Sequence, residues 1–322
     1  MYELSEPHMW TGRVDSTEDL KAFRLHQAVE FMDVFQAAGI AKPGAIGIIG
    51  FKSDEGVRRN KGRTGSCLAP DELRKSLAAL PLPSGARLID FGSIVCEGGA
   101  LEEAQAELGR AVSRLFAEGI FPIILGGGHE VAFGHYLGYE DSLDKMPSVG
   151  IVNIDAHFDM RPYEQETSSG TMFRQILDRN SEAGYFCAGI QPAGNTEYLF
   201  ETARIYGTSY ILEEDITEHN LRGCLEKLEE FMEDKADCML TLCCDVLEAG
   251  HAPGVSAPSP FGLHPKLVRF LIRRLAAHPR VRSFDIAEVN PRLDEDGRTV
   301  KLAALLIHEV IAARSRLADS TV

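Results

Sequence analysis

Four short stretches carry side chains whose types and spacing suit metal chemistry. The densest is Val149 to Arg161, VGIVNIDAHFDMR. Its first half is an apolar run that reads as a buried strand. Asp155, His157 and Asp159 follow at alternate positions, and alternate residues of an extended chain point the same way. Three metal-competent groups thus converge where a strand leaves a sheet, which is where ligands sit in open α/β folds. The plainer alternative is a polar turn, because Asp is common in turns.

The second stretch is GGGHE (126–130), with His129 just after the apolar run Phe121 to Leu125. Three glycines let backbone approach closely. Such a loop can also cradle phosphate, but no Lys-Ser/Thr follows, as a P-loop would require. A capping His is the structural alternative. The third is Asp245 in CCDVLEAGHAPGVSAPSP, at the end of another apolar strand. A lone Asp there is usually a turn or cap residue. The fourth is Glu288 in FDIAEVNP, which could equally cap a helix. Taken together, two His and three Asp at three strand ends match a binuclear divalent-metal site. Two ions about 3.5–4 Å apart share a carboxylate and draw a proton from water near neutral pH. Oxygen-rich ligation with some imidazole favours Mn²⁺ over structural zinc.

The elements that must position these groups alternate strand and helix. A helix is predicted over 18–39, with Thr17 as N-cap and Gly39 as stop. A strand follows at Ala45 to Phe51, then a Gly- and base-rich loop and a helix opened by Pro70. Arg87 to Phe91 reads as a strand and Ala100 to Ala117 as an amphipathic helix. The strand Phe121 to Leu125 leads to a helix beginning near His129. Beyond the central strand come a helix to about Arg179, a strand at Tyr185 to Ile190, and helical turns at Glu197 to Thr202. A short strand is expected at Arg204 to Tyr206 and a helix at Thr217 to Asp234. Strands at Cys238 to Asp245 and Val281 to Ile286 alternate with helices at Lys266 to Ala277 and Thr299 to Leu317. No linker or repeat interrupts the pattern. It predicts one three-layer αβα domain over 1–322 with a mostly parallel sheet of about eight strands.

Composition narrows the function classes. The 322 residues carry 48 acids against 33 bases, a formal charge of −15. An acidic chain is a poor partner for nucleic acid or an anionic membrane. No apolar run reaches the roughly 18 residues that span a bilayer. The start, MYELSEPHMW, has neither a basic leader nor an apolar core, so a soluble, cytoplasmic protein is expected. The seven cysteines form no CxxC pair and are expected as reduced thiols.

GGGHE (126–130), NIDAHFD (153–159), CDVLEAGHAPG (244–254) and EVNP (288–291), in this order, make the chain resemble the ureohydrolase family, the group of arginase, agmatinase and formimidoylglutamase. The resemblance covers nearly the whole chain. It implies an arginase-like three-layer αβα sandwich with an eight-stranded, mostly parallel sheet. DEGVRRNKGRTG (54–65), DMR (159–161), SSGTMFRQ (168–175) and APGVSAP (252–258) are most similar to the formimidoylglutamase branch. That branch implies hydrolysis of N-formimidoyl-L-glutamate to L-glutamate and formamide, in histidine degradation. Agmatinase- or guanidinobutyrase-type hydrolysis is the alternative.

The resemblance also implies two Mn²⁺ per chain. One would be held by His129, Asp155 and Asp159, the other by His157, Asp155 and Asp245, with Asp155 bridging. Asp159 would relay a proton, and Glu288 would anchor the amidine, whose planar N–H fork pairs with a carboxylate. A small-molecule substrate and a homo-oligomer are the expected partners. Two positions depart from the family pattern. Phe173 stands where arginases carry a His, so an arginase-type proton shuttle is absent there. Cys243 stands where the family's Asp-x-Asp pattern has its first, bridging Asp. Three readings follow: a thiolate ligand that shifts preference toward zinc or Fe²⁺, a weak second site, or an impaired relative.

A dicarboxylate substrate needs local bases. Arg58, Arg59, Lys61 and Arg63 lie in the loop after the first strand, and Arg161 follows the central motif. Arg63 and Arg161 are the chosen carboxylate clamps, because the guanidinium fork is planar. Ser169 and Asn60 are hydrogen-bonding candidates, and His135 reads as structural.

Overall fold

The computed structural model describes residues 1–36, 44–142 and 148–320. In chain order its elements are β1 (Tyr2–Glu3), β2 (Glu30–Phe31), β3 (Ile46–Lys52), α1 (Glu55–Arg59), α2 (Ala69–Ala78), β4 (Leu88–Val95), α3 (Leu101–Ala117), β5 (Phe121–Leu125), α4 (Val131–Ser142) and β6 (Val149–Ile154). Then follow α5 (Met172–Arg179), β7 (Gly184–Ile190), α6 (Glu197–Ile205), β8 (Ser209–Leu212), α7 (Leu221–Glu233), β9 (Asp237–Cys243), α8 (Pro265–Ala276), β10 (Val281–Ala287) and α9 (Arg298–Ser320).

The strands form one sheet of order β1-β4-β3-β5-β10-β9-β6-β7-β8, with β2 also pairing β4. The eight strands from β3 to β10 pair in parallel. The two-residue strands β1, antiparallel, and β2, parallel, extend the β4 side. The central strands are apolar along their whole length because helices cover both faces. On one face Leu73, Leu228, Leu271 and Ile307 of α2, α7, α8 and α9 share a core. On the other, Leu108 and Val112 of α3 form one cluster, and Tyr136, Phe173 and Leu199 of α4, α5 and α6 another. Among the described residues no helix is long and apolar enough to cross a membrane.

Two expectations are corrected. The helix over 18–39 does not form in its described part, and residues 37–39 lie outside the described residues. That part holds 3-10 turns at Leu20–Ala22 and Leu25–Gln27 and the strand β2. Its backbone donors leave the segment: Leu25 N–H donates to Leu80 O, and Met32 N–H to Asp90 O. Docking on α2 and β4 outweighs local helical spacing. The strand at Arg204 to Tyr206 is instead the end of α6 and a turn at Gly207 (φ 65°), and the strand begins at Ser209.

Candidate active site

Four neighbouring strands, β5, β10, β9 and β6, end together. Leu125 is in register with Ile286, Ile286 with Leu242, and Leu242 with Ile154. The next residues along are Gly126, Ala287, Cys243 and Asp155. Asp155 and Cys243 are therefore lateral neighbours on adjacent strands, and His129 and Glu288 stand just beyond their own strand ends. Parallel register thus brings together groups up to 159 residues apart in the chain.

Two ligand groups result. His129, Asp155 and Cys243 present donor atoms within 4.8 Å of one another, and so do Asp155, His157 and Asp245. Asp155 belongs to both. Its Oδ2 lies 3.0 Å from His129 Nδ1, while its Oδ1 lies 3.6 Å from His157 Nδ1 and accepts the His157 N–H at 2.8 Å. Asp159 Oδ2 is 3.2 Å from His129 Nδ1, and Asp245 Oδ2 is 3.3 Å from His157 Nδ1. Asp245 Oδ1 is buried without a hydrogen-bond partner among the described residues. A buried carboxylate oxygen left unpaired is costly, and a cation satisfies it. With two imidazoles, two further carboxylates and one sulfur around a shared Asp155, the residues present fit a pair of divalent ions.

The electrostatics point the same way. Burial raises the Asp159 carboxyl to about 6, with the Asp155 charge adding to it. Burial raises Glu288 to about 8, with Glu130 and Asp245 contributing. Burial would lower His129 and His157, but the surrounding carboxylates outweigh it and hold both well above their ordinary value. Burial also opposes ionisation of Asp155, yet His129 and His157 keep it below the usual carboxylate range. The cluster thus collects positive charge, first from its own histidines. Burial pushes the Cys243 thiol well up, and neighbouring carboxylates push it further. A metal ion reverses that effect on a coordinated thiol.

Asp159 and Glu288 adopt φ of 49° and 65°. Such left-handed backbone is uncommon for non-glycine residues and concentrates at functional sites. Glu288 is held by two backbone bonds: its N–H donates to Gly127 O at 2.8 Å, and its Oε1 accepts the His129 N–H at 2.9 Å. Its carboxylate lines the same cavity as His129, His157, Asp159, Cys243 and Asp245.

The substrate candidates separate. Arg161 lines this cavity, as do Ser169 and Asn60, and Asn60 Nδ2 donates to Ser169 Oγ at 3.4 Å. Arg63 does not line it. Its guanidinium donates to Val255 O at 2.8 Å and Ser256 O at 3.0 Å, clasping the loop after β9. Arg58 pairs with Glu55, and Arg59 with Glu55 and Glu102. Phe173 is fully buried, stacked on Tyr185 with ring centres 4.4 Å apart, and edges onto His129 at 5.4 Å. Asn195 also lines the cavity. It braces the metal loop by accepting the Phe158 N–H and donating to Ala156 O. Nothing in its sequence context signals that role.

Residues 44–313 match the arginase family. A curated formimidoylglutamase from a Geobacillus species is 53% identical over 313 residues, covering 97% of this chain and 96% of that protein. A Staphylococcus aureus formimidoylglutamase is 38% identical, covering 97% of this chain and 100% of its own. Among solved structures, a Trypanosoma cruzi formiminoglutamase with Mn²⁺ superposes with a TM-score of 0.77 at 25% identity, over 88% of this chain and 98% of that one. A formimidoylglutamase from Bacillus subtilis shares the fold with a TM-score of 0.80 at 21% identity, over 93% of this chain and 94% of its own.

Proposed function

This chain belongs to the arginase family, and from that membership we propose that it hydrolyses a C–N bond in a linear amidine: N-formimidoyl-L-glutamate plus water gives L-glutamate and formamide. The observation that carries the reading is the near-full-length likeness to proteins named formimidoylglutamase. The site supports it independently, because one carboxylate, Glu288, stands beside the metal-ligand groups inside one cavity.

In this reading the chain is one catalytic domain. His129, Asp155 and Cys243, with Asp159 beside them, hold one ion; Asp155, His157 and Asp245 hold the other. Mn²⁺ is the expected metal, as in the T. cruzi structure, with Cys243 adding preference for softer ions. Divalent ions held by these residues would supply a water of lowered pKa and polarise the amidine for attack. Glu288 pairs with the N–H fork of the amidine, and an arriving amidinium ionises a carboxyl that burial otherwise keeps near neutral. Asp159 lines the cavity beside the ligand groups and is placed to accept a proton at a carboxylate oxygen and pass it to the leaving amine. Arg161 makes no ion pair among the described residues and stands on the cavity wall. It meets a substrate carboxylate, with Asn60 and Ser169 as hydrogen-bonding neighbours. A free cation there favours an acidic substrate over agmatine-like cations. All seven cysteines are free, in keeping with a cytoplasmic enzyme of histidine breakdown.

The test is product identity. Mn²⁺-loaded protein given N-formimidoyl-L-glutamate is expected to release formamide, and to release no urea from agmatine, arginine or guanidinobutyrate. Urea from one of these, without formamide, would move the reading to another branch of the family.

A further inference from the structure

Directly beneath the metal row lies a second row of polar side chains. Asn153, Thr241 and Asp285 are in register across β6, β9 and β10, two residues before Asp155, Cys243 and Ala287. Alternate strand residues share a face, so this row sits under the ligands, against α4. All three are fully buried, as are His135 on α4 and Ser283 on β10. Apolar side chains would fill such positions more cheaply, because buried polar groups offset their desolvation only when fully bonded.

These groups form one connected chain. His129 Nε2 lies 2.9 Å from Thr241 Oγ1. Thr241 Oγ1 donates to Asp285 Oδ1 at 2.6 Å. Asp285 Oδ2 lies 2.6 Å from His135 Nδ1. His135 Nε2 lies 2.5 Å from Ser283 Oγ, which is 2.5 Å from Tyr139 Oη. The direction of the upper bonds follows from donor counting. Thr241 has a single hydroxyl hydrogen, and it goes to Asp285 Oδ1. Thr241 can then only accept from His129, which fixes a hydrogen on His129 Nε2. In the neutral ring, the form that binds a metal ion, the lone pair is then left on Nδ1, the atom facing Asp155 and Asp159.

We propose that Asp285 and His135 are positioning residues that, through Thr241, hold His129 in the tautomer and ring orientation that bind a metal ion. Both oxygens of Asp285 are engaged, one by each neighbour, so the carboxylate neither rotates nor offers Thr241 a donor. His135 clamps it from α4, which begins two residues after His129. The strand row and the helix therefore fix the ring from two elements. Asn153 serves the second ligand in the same way, donating to Asp155 Oδ2 at 3.1 Å. Partners of this kind around ligating histidines typically contribute about 10–100-fold in metal affinity.

This inference rests on the reading of the site as a metal centre, and the experiment separates the two. Mn²⁺ affinity is measured by titration for the wild-type protein and for Thr241→Val, Thr241→Ser, Asp285→Asn and His135→Gln, after chelator treatment and dialysis. Thr241→Val keeps shape and loses the hydroxyl. It and Asp285→Asn are expected to weaken Mn²⁺ binding at the His129 site about 10–100-fold. Thr241→Ser restores binding, and the Thr241→Val/Asp285→Asn double variant is no weaker than the worse single one, because both cut one chain. If Asp285→Asn does not fold, His135→Gln carries the test, with the same direction of change. Wild-type affinity in Thr241→Val and His135→Gln, with only a lower melting temperature, would reduce the chain to structural support and overturn the proposal. Absence of Mn²⁺ binding by the wild-type protein would overturn the metal reading beneath it.

Discussion

The backbone N–H of His129 donates to Glu288 Oε1 at 2.9 Å. This bond ties the residue after β5, a metal-ligand candidate, to the residue after β10, the amidine-anchor candidate. The two strands are neighbours in the sheet, so a shift of either loop moves both groups. Glu288 in turn holds its left-handed φ of 65° through Gly127 O. Metal and substrate groups are thus set relative to each other by backbone groups at two strand ends and by the Glu288 carboxylate that joins them.

Glu288→Gln tests the anchor. The amide keeps the shape and still accepts from His129 N–H, but it loses the charge that pairs with an amidinium. Charge-assisted bonds contribute about 1.5–3 kcal/mol, so kcat/KM should fall by about 10–100-fold with metal content unchanged. Steady-state kinetics beside elemental analysis check it. Full activity in the variant would remove Glu288 from substrate binding.

Arg161 and Arg63 should differ. Arg161 lines the cavity with no ion pair among the described residues, whereas Arg63 donates to Val255 and Ser256 carbonyls. Arg161→Ala is expected to raise KM about 10–100-fold, the loss of one charge-assisted contact. Arg63→Ala should act mainly on the loop after β9, lowering thermal stability and changing KM less. Equal KM effects in the two variants would contradict this division.

Cys243 supplies a spectroscopic handle. A thiolate bound to Co²⁺ gives a ligand-to-metal charge-transfer band in the near ultraviolet, whereas a carboxylate does not. Co²⁺-loaded wild-type protein should show the band and Cys243→Asp should lack it while still holding metal. A wild-type spectrum without the band would remove the sulfur from the ligand set.

Metal-free protein should lose stability as pH rises. Asp159, Glu130 and Glu288 are held up at about 6, 7 and 8, chiefly by burial. Neutral in the fold, they contribute stability below the ordinary carboxylate range and lose it as pH climbs through those values. His129 and His157, raised by their carboxylates, act in the same direction. Asp155 is lowered and acts oppositely, only in strong acid. Melting of chelator-treated protein should therefore drop by about 5 °C or more between about pH 5 and pH 9. Added Mn²⁺ should reverse the drop, because a ligand bound only to the fold stabilises it. A flat profile without metal would show that these carboxyls are not strained.

Much of the fold was legible because parallel strands buried on both faces write themselves as apolar runs, and the runs of β5, β6, β9 and β10 each stop close to a candidate site residue. His129, Asp155, His157, Asp245 and Glu288 announce themselves by type and place. Thr241, Asp285 and His135 do not. Their partners lie 44 to 150 residues away, and only strand register brings them together. Arg63 and Arg161 looked equivalent in sequence, since a loop's direction is set by what its side chains find to bond. The described part of the expected helix over 18–39 failed for the same reason: its backbone donors found acceptors at Asp90 on β4 and at Leu80, just past α2.

The central claim is that two ions at Asp155 activate water against an amidine held by Glu288. Its most direct test is to titrate Mn²⁺ into metal-free protein while measuring bound metal per chain and formamide release from N-formimidoyl-L-glutamate in the same samples. Formamide release should rise with occupancy and level off at about two ions per chain, and Asp155→Asn should abolish both. A folded chain that binds two ions and releases no formamide, or releases it undiminished without metal, would contradict the claim.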